Sequence, residues 1–172
     1  VLVAEQMFAS GCRLLVSVTS AGRIASSLPD DACFLLIERA LRDEGTSYHY
    51  VKADRRFAAA DPALIALARD ATAATELQVL CGATWTTDAP FRETAQAIAA
   101  AAAAGVQAVE MEAAALYAFA AARKVAVLCV AHVTNSMAQT EGDFEKGEAD
   151  GSTDALAILA CILRAWSAAN GA

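Results

Sequence analysis

Val109-Glu110-Met111-Glu112-Ala113-Ala114-Ala115-Leu116-Tyr117-Ala118-Phe119-Ala120, followed after Arg123-Lys124 by Val125-Ala126-Val127-Leu128-Cys129-Val130-Ala131, decides the fold. Val106–Val109 is a short extended piece leading into two glutamates. Ala113–Arg123 is rich in strong helix formers and reads as a helix. Val125–Ala131 is apolar at every position, as expected of a strand whose sheet is covered by helices on both faces. Strand, helix and strand in one run of this length are the signature of a layered α/β protein.

Working outward, the same alternation continues in both directions. Val1–Ser10 has helical spacing with Gly11 placed to stop it, and Arg13–Val18 reads as a buried strand that runs into a Thr19-Ser20-Ala21-Gly22 loop. Ala32–Ile37 is a second strand. Asp61-Pro62 opens a helix through about Thr75, with Asp61 as N-cap and proline at the first helical position. Gln78–Ala83 is strand-like, Arg92–Ala104 is an alanine-rich helix closed by Gly105, and a last helix runs from Ser152 to about Ala168. Strands alternating with helices predict a twisted, mixed but mostly parallel sheet flanked by helices in three α/β/α layers. Its ligands would gather at the carboxyl ends of the strands. Four places qualify: Thr19–Gly22, Thr86–Arg92, Glu110–Glu112 and Thr134–Met137. The polar stretch Gln139–Asp154 lies on the same side, where its residues 141–147 have the composition of a solvated loop able to act as a lid.

The chain has 172 residues, which fits a single domain over 1–172. Its composition is 57% hydrophobic but only 6% aromatic, so alanine dominates and the core must be built by close approach of small side chains. Thirteen basic against 20 acidic residues, a formal charge of −7, leave no basic cluster to track a phosphate backbone, which argues against nucleic acid. Cys12, Cys33, Cys81, Cys129 and Cys161 are scattered among apolar neighbours with no C-x-x-C pair. They read as buried thiols of a reducing cytoplasm, and neither zinc nor any other metal has its ligand spacing here. No signal-like start and no apolar run of membrane length is evident, so a membrane partner is not expected.

At the strand-to-helix junction the carboxylates of Glu110 and Glu112 would point to one side while the chain stays extended, with Met111 as an apolar surface between them. Two ionised carboxylates accept hydrogen bonds only, which suits the two hydroxyls of a cis-diol such as ribose. Bonds that strengthen as a ribosyl group becomes oxocarbenium-like would ease cleavage of its N-glycosidic bond. The plainer reading is that two acids simply favour a helix N-terminus.

The segment VEMEAAALYAFA resembles the Glu-Met-Glu ribose motif of the nucleoside phosphorylase family, which includes purine nucleoside phosphorylase, uridine phosphorylase and the adenosylhomocysteine/methylthioadenosine nucleosidases. VLVAEQMFASGCRLLVSVTSAGRI, RDEGTSYHY, GATWTTDAPFRET and AHVTN resemble further stretches of the family in family order. The resemblance implies Glu110, Met111 and Glu112 on ribose and Thr19 and Ser20 on phosphate. It implies Asn135 and Phe91 at the base, with Glu112 and Asn135 as the catalytic pair. It also implies inorganic phosphate as co-substrate with no other cofactor, and a dimer, trimer or hexamer whose sites borrow residues from a neighbour. Relative to the family, the chain lacks the amino-terminal strand with its glycine-rich phosphate loop.

Ser17 stands where the phosphorylases carry a phosphate-binding arginine. The nucleosidases, which use water, also lack it and have a Ser-Ala-Gly loop like Ser20-Ala21-Gly22. Asn135 can hydrogen-bond a base but cannot protonate an adenine as an aspartate would. Phosphorolysis of a purine or pyrimidine nucleoside, hydrolysis, and a non-catalytic nucleoside-binding role are therefore all open. Of the remaining polar groups, Arg42, Asp43 and Asp88 read as structural, His49 as a minor ligand candidate, and His132 as a core histidine.

Overall fold

A computed structural model describes residues 1–25, 27–29, 31, 33–136 and 151–171. In chain order it contains α1 (Leu2–Ala9), β1 (Leu14–Arg23), β2 (Cys33–Asp43), β3 (Phe57–Ala59), α2 (Pro62–Thr72), β4 (Val79–Thr87), α3 (Ala95–Ala103), β5 (Ala108–Glu110), α4 (Ala113–Arg123), β6 (Ala126–Ser136) and α5 (Ser152–Asn170). Short 3-10 turns lie at Ser47–His49 and Pro90–Arg92. The strands form one sheet in the order β3-β2-β4-β5-β1-β6. The long registers β1–β6 and β2–β4 are parallel, as is β4–β5, whereas β1–β5 and β2–β3 are antiparallel. Fold class and mixed character agree with the expectation from sequence. A feature of long range is added: β2 also pairs antiparallel with β6, Cys33 opposite Val133 through Leu36 opposite Val130, so the sheet curls until its far strands meet.

Local signals explain most element boundaries. The Asp61 carboxylate accepts the Ala63 N–H at 2.8 Å, capping α2 with Pro62 at its first position. Thr94 does the same for α3 through the Ala97 N–H, so that helix starts later than Arg92 and the residues before it make the 3-10 turn. Gly11 and Gly105 end α1 and α3 at φ of +95° and +79°, where a side chain would be strained.

Two readings require correction. Thr19–Gly22 is not a loop: β1 continues through it because Thr19, Ser20 and Ala21 pair with Ala131, His132 and Val133, and Gly22 then also faces Val109 of β5 after a register shift. Turn-forming composition yields here to a ladder on offer from β6. The last helix reaches Asn170, and α5 as a whole has the length and apolar content of a membrane span, contrary to the reading that no such run exists. Its Ile158 and Ile162 are nevertheless fully buried, and α5 packs on α2. The strand β3 carries no sequence signal beyond one aromatic and two alanines, and it forms as an edge on β2. The candidate lid at 141–147, together with Met137, lies outside the described residues.

Cys33 through Ile37 are buried at every position, so β2 is covered on both faces as the apolar-run argument requires. The helix α4 packs across β2, β3, β4 and β6, and its first seven residues, Ala113–Phe119, are all buried. Tyr117 anchors it. The phenol donates to the Ile37 carbonyl at 2.5 Å and accepts the Cys129 N–H at 2.9 Å, tying α4 to both strands of the closing pair. Replacing Tyr117→Phe leaves a buried carbonyl and a buried N–H without partners, a loss of roughly 2–4 kcal/mol. Urea denaturation measures it; a change below about 0.5 kcal/mol would mean that the clamp is not a structural determinant.

Candidate active site

Parallel pairing of β4 with β5 sets Thr86 directly opposite Glu110 and Thr84 opposite Ala108. Thr84 and Thr86, two apart on a strand, present their hydroxyls to one face. Both donate to Oε1 of Glu110, at 2.9 and 2.5 Å. The other oxygen, Oε2, accepts the N–H groups of Glu112 and Ala113 at 2.7 Å each, where α4 begins. The Glu110 carboxylate is thus buried with four donors. Burial pushes its carboxyl above the ordinary 4.5, opposed by hydrogen bonds from Thr86, Ala113, Glu112 and Thr84.

The expectation that both glutamates face one side is not met. Glu112 has φ −127° and ψ −41°, so the chain has left the extended conformation before its side chain emerges, and the two carboxylates diverge. Glu110 turns inward. Glu112 is half-buried and its Oε2 accepts from the Thr19 hydroxyl at 2.7 Å and from the Met111 N–H at 3.1 Å. Met111 stands beside it, 48% exposed. Together they line a pocket of about 210 Å³ with Glu44, Thr46 and Asp88. Oε1 of Glu112 has no hydrogen bond among the described residues.

The opposite wall is built by the loop after β2. Buried Arg42 donates to the Ser47 hydroxyl and to the carbonyls of Val51, Lys52 and Arg55, and lies over the Tyr48 ring. Its guanidinium is consumed by the loop. Glu44 accepts the Ser47 N–H, and Asp88 accepts the Gly45 N–H at 3.0 Å, joining this loop to the end of β4. Asp43 accepts the Trp85 indole N–H, so the structural readings of Arg42, Asp43 and Asp88 match their contacts. The pocket wall therefore carries three carboxylates and no lysine or arginine side chain.

Of the residues singled out from sequence, Thr19, Met111 and Glu112 come together. Ser20 is exposed on β1, opposite His132. Asn135 lies on β6 opposite Gly22, which brings its backbone to the same end of the sheet. Phe91 sits fully exposed on the Pro90–Arg92 turn and does not line the pocket, because that turn leads away into α3. His49 is exposed, whereas His132 is buried and stacked on Phe34 with ring centroids 4.5 Å apart. Thr84, Thr86, Glu44 and Thr46 were not anticipated; only the Thr-x-Thr alternation at a strand end hinted at the first two.

The Glu110 environment makes a pH prediction. A folded-state pKa above the unfolded one means stability from this group is complete below about pH 4.5 and is lost as pH rises through the folded value. Glu110→Gln lacks that titration. Urea denaturation of both proteins from about pH 4 to about pH 7 should show the unaltered chain losing stability relative to Glu110→Gln as pH rises; parallel profiles would contradict the shift.

No curated protein matches the chain in sequence. Among solved structures, one described as a structural analysis of the P. knowlesi homolog of P. falciparum PNP superposes with a TM-score of 0.79 at 18% identity, covering 96% of this chain and 68% of that one. Such identity speaks to the fold alone. The sequence model of the phosphorylase superfamily matches residues 1–164, and that span includes every strand, the Thr19–Glu112 contact and the pocket. The chain belongs to the phosphorylase superfamily, the family of the nucleoside phosphorylases and nucleosidases.

Proposed function

We propose that this chain cleaves the N-glycosidic bond of a purine or pyrimidine nucleoside, with inorganic phosphate as the attacking group, releasing free base and ribose 1-phosphate. The observation that carries this reading is the Glu112 carboxylate, held through one oxygen by Thr19 and the Met111 N–H, with the second oxygen open beside exposed Met111. A ribose hydroxyl donates to that open oxygen, and Met111 covers the apolar face of the sugar. As the C1′–N bond lengthens, positive charge grows on the ribosyl group and the nearby carboxylate stabilises it more than it stabilises the ground state. Phosphate then bonds to C1′ while the bonding electrons leave with the base.

Glu110 takes a supporting place in this reading, since its oxygens are already occupied. Thr19 and Ser20 are proposed to meet the phosphate, next to the ribose contact, and Asn135 to meet the base from the end of β6. No cofactor besides phosphate is invoked. Exposed Phe91 is assigned to a base only if a second copy brings it to a neighbouring site, consistent with a homo-oligomer.

Hydrolysis is a second reading, favoured by one feature: the pocket wall has three carboxylates and no basic side chain to hold an anion. A nucleoside panel assayed for free base with and without phosphate separates the two. Phosphate-dependent release supports phosphorolysis, and release indifferent to phosphate replaces it with hydrolysis. Glu112→Gln should lower kcat/KM on the order of a hundredfold to a thousandfold, as loss of one preorganised electrostatic contact does. Unchanged kinetics would remove Glu112 from the ribose site.

A further inference from the structure

Glu112 occupies the position from which a helix is ordinarily capped, yet its carboxylate accepts nothing from the α4 amides. Those amides are already taken. Ala113 N–H goes to Glu110 Oε2 at 2.7 Å, and Ala114 N–H goes to the Thr86 hydroxyl oxygen at 2.9 Å. A hydroxyl has one proton to give, so Thr86 accepts from α4 and donates to Glu110, while Thr84 donates to the same Glu110 oxygen. The cap of α4 is thus supplied from two neighbouring strands.

We propose that Glu110 and Thr86 are positioning residues for Glu112: by capping α4 from β5 and β4 they keep the Glu112 carboxylate off its own helix and directed at Thr19 and the pocket. The catalytic consequence rests on the ribose reading of Glu112; the positioning itself does not. Because Thr86 and Glu110 are direct partners in the β4–β5 register, the backbone ladder sets their pairing. If the Thr86 hydroxyl is removed, the Ala114 N–H is left buried without a partner, and Glu112 carries the nearest carboxylate with an open oxygen.

Thr86→Val keeps the side-chain shape and removes the hydroxyl, and Thr86→Ser restores it. A crystal structure of Thr86→Val should show the Glu112 carboxylate moved from Thr19 toward the first turn of α4. Nucleoside turnover should fall on the order of tenfold to a hundredfold through kcat more than KM, with recovery in Thr86→Ser. In a Glu112→Gln background, Thr86→Val should cost no further turnover, while its effect on Tm persists in both backgrounds. Additive losses of turnover, or a Thr86→Val structure with Glu112 still on Thr19, overturn the proposal. If Glu112→Gln leaves turnover unchanged, the ribose reading fails by itself, and the Thr86→Val structure still decides the positioning. Should Thr86→Val not fold, Glu110→Gln carries the same structural and kinetic readouts.

Discussion

A carboxylate buried without a cation beside it is tolerated only when donors surround it, because removing an ion from water costs several kcal/mol that hydrogen bonds must offset. Glu110 meets that condition with two hydroxyls from β4 and two amides from the start of α4. The four donors converge only if β4 and β5 hold their register and α4 begins at Ala113. Those same constraints place Met111 and Glu112 at the pocket. Seven residues after Glu110, Tyr117 then meets the carbonyl of Ile37 and the amide of Cys129, so the helix set at one end is secured to two strands further along. The positive end of the α4 dipole adds to the stabilisation of the buried charge.

Alanine richness has a geometric purpose at this junction. A hydroxyl on a sheet reaches a helix amide only where the two backbones approach closely, and bulky residues at the first turn would hold them apart. Ala113, Ala114 and Ala118 are completely buried, and Ala114 is the residue whose N–H the Thr86 hydroxyl accepts. The small-residue composition noted at the outset therefore belongs to the chemistry of the site as well as to the packing of the core.

What was legible in the sequence was local. The bounds of α4, the cap at Asp61-Pro62, the stops at Gly11 and Gly105 and the apolar run of β6 each depend on neighbours a few residues away. The site was legible as a segment but not in its orientation. Parity along an extended chain put both glutamates on one side, and the helical ψ of Glu112 broke that parity. Thr19–Gly22 misled because its composition favours a turn in isolation, whereas β6 offered it a strand partner from more than a hundred positions away. Glu44 and Thr46 reach the pocket only through the loop that Arg42 organises, a connection no spacing rule encodes.

The antiparallel contact between β2 and β6 bears on how this chain acquires its structure. Phe34 meets His132 across that seam, both in register and through stacked rings, so the sheet closes only after nearly the whole intervening polypeptide is in place. Loop-closure entropy must be met before such a distant pairing returns any free energy. Topologies dominated by long-range strand pairing reach the native state slowly. The seam is thus a late event in folding, and until it forms the apolar edges of β2 and β6 are open to pairing with other chains.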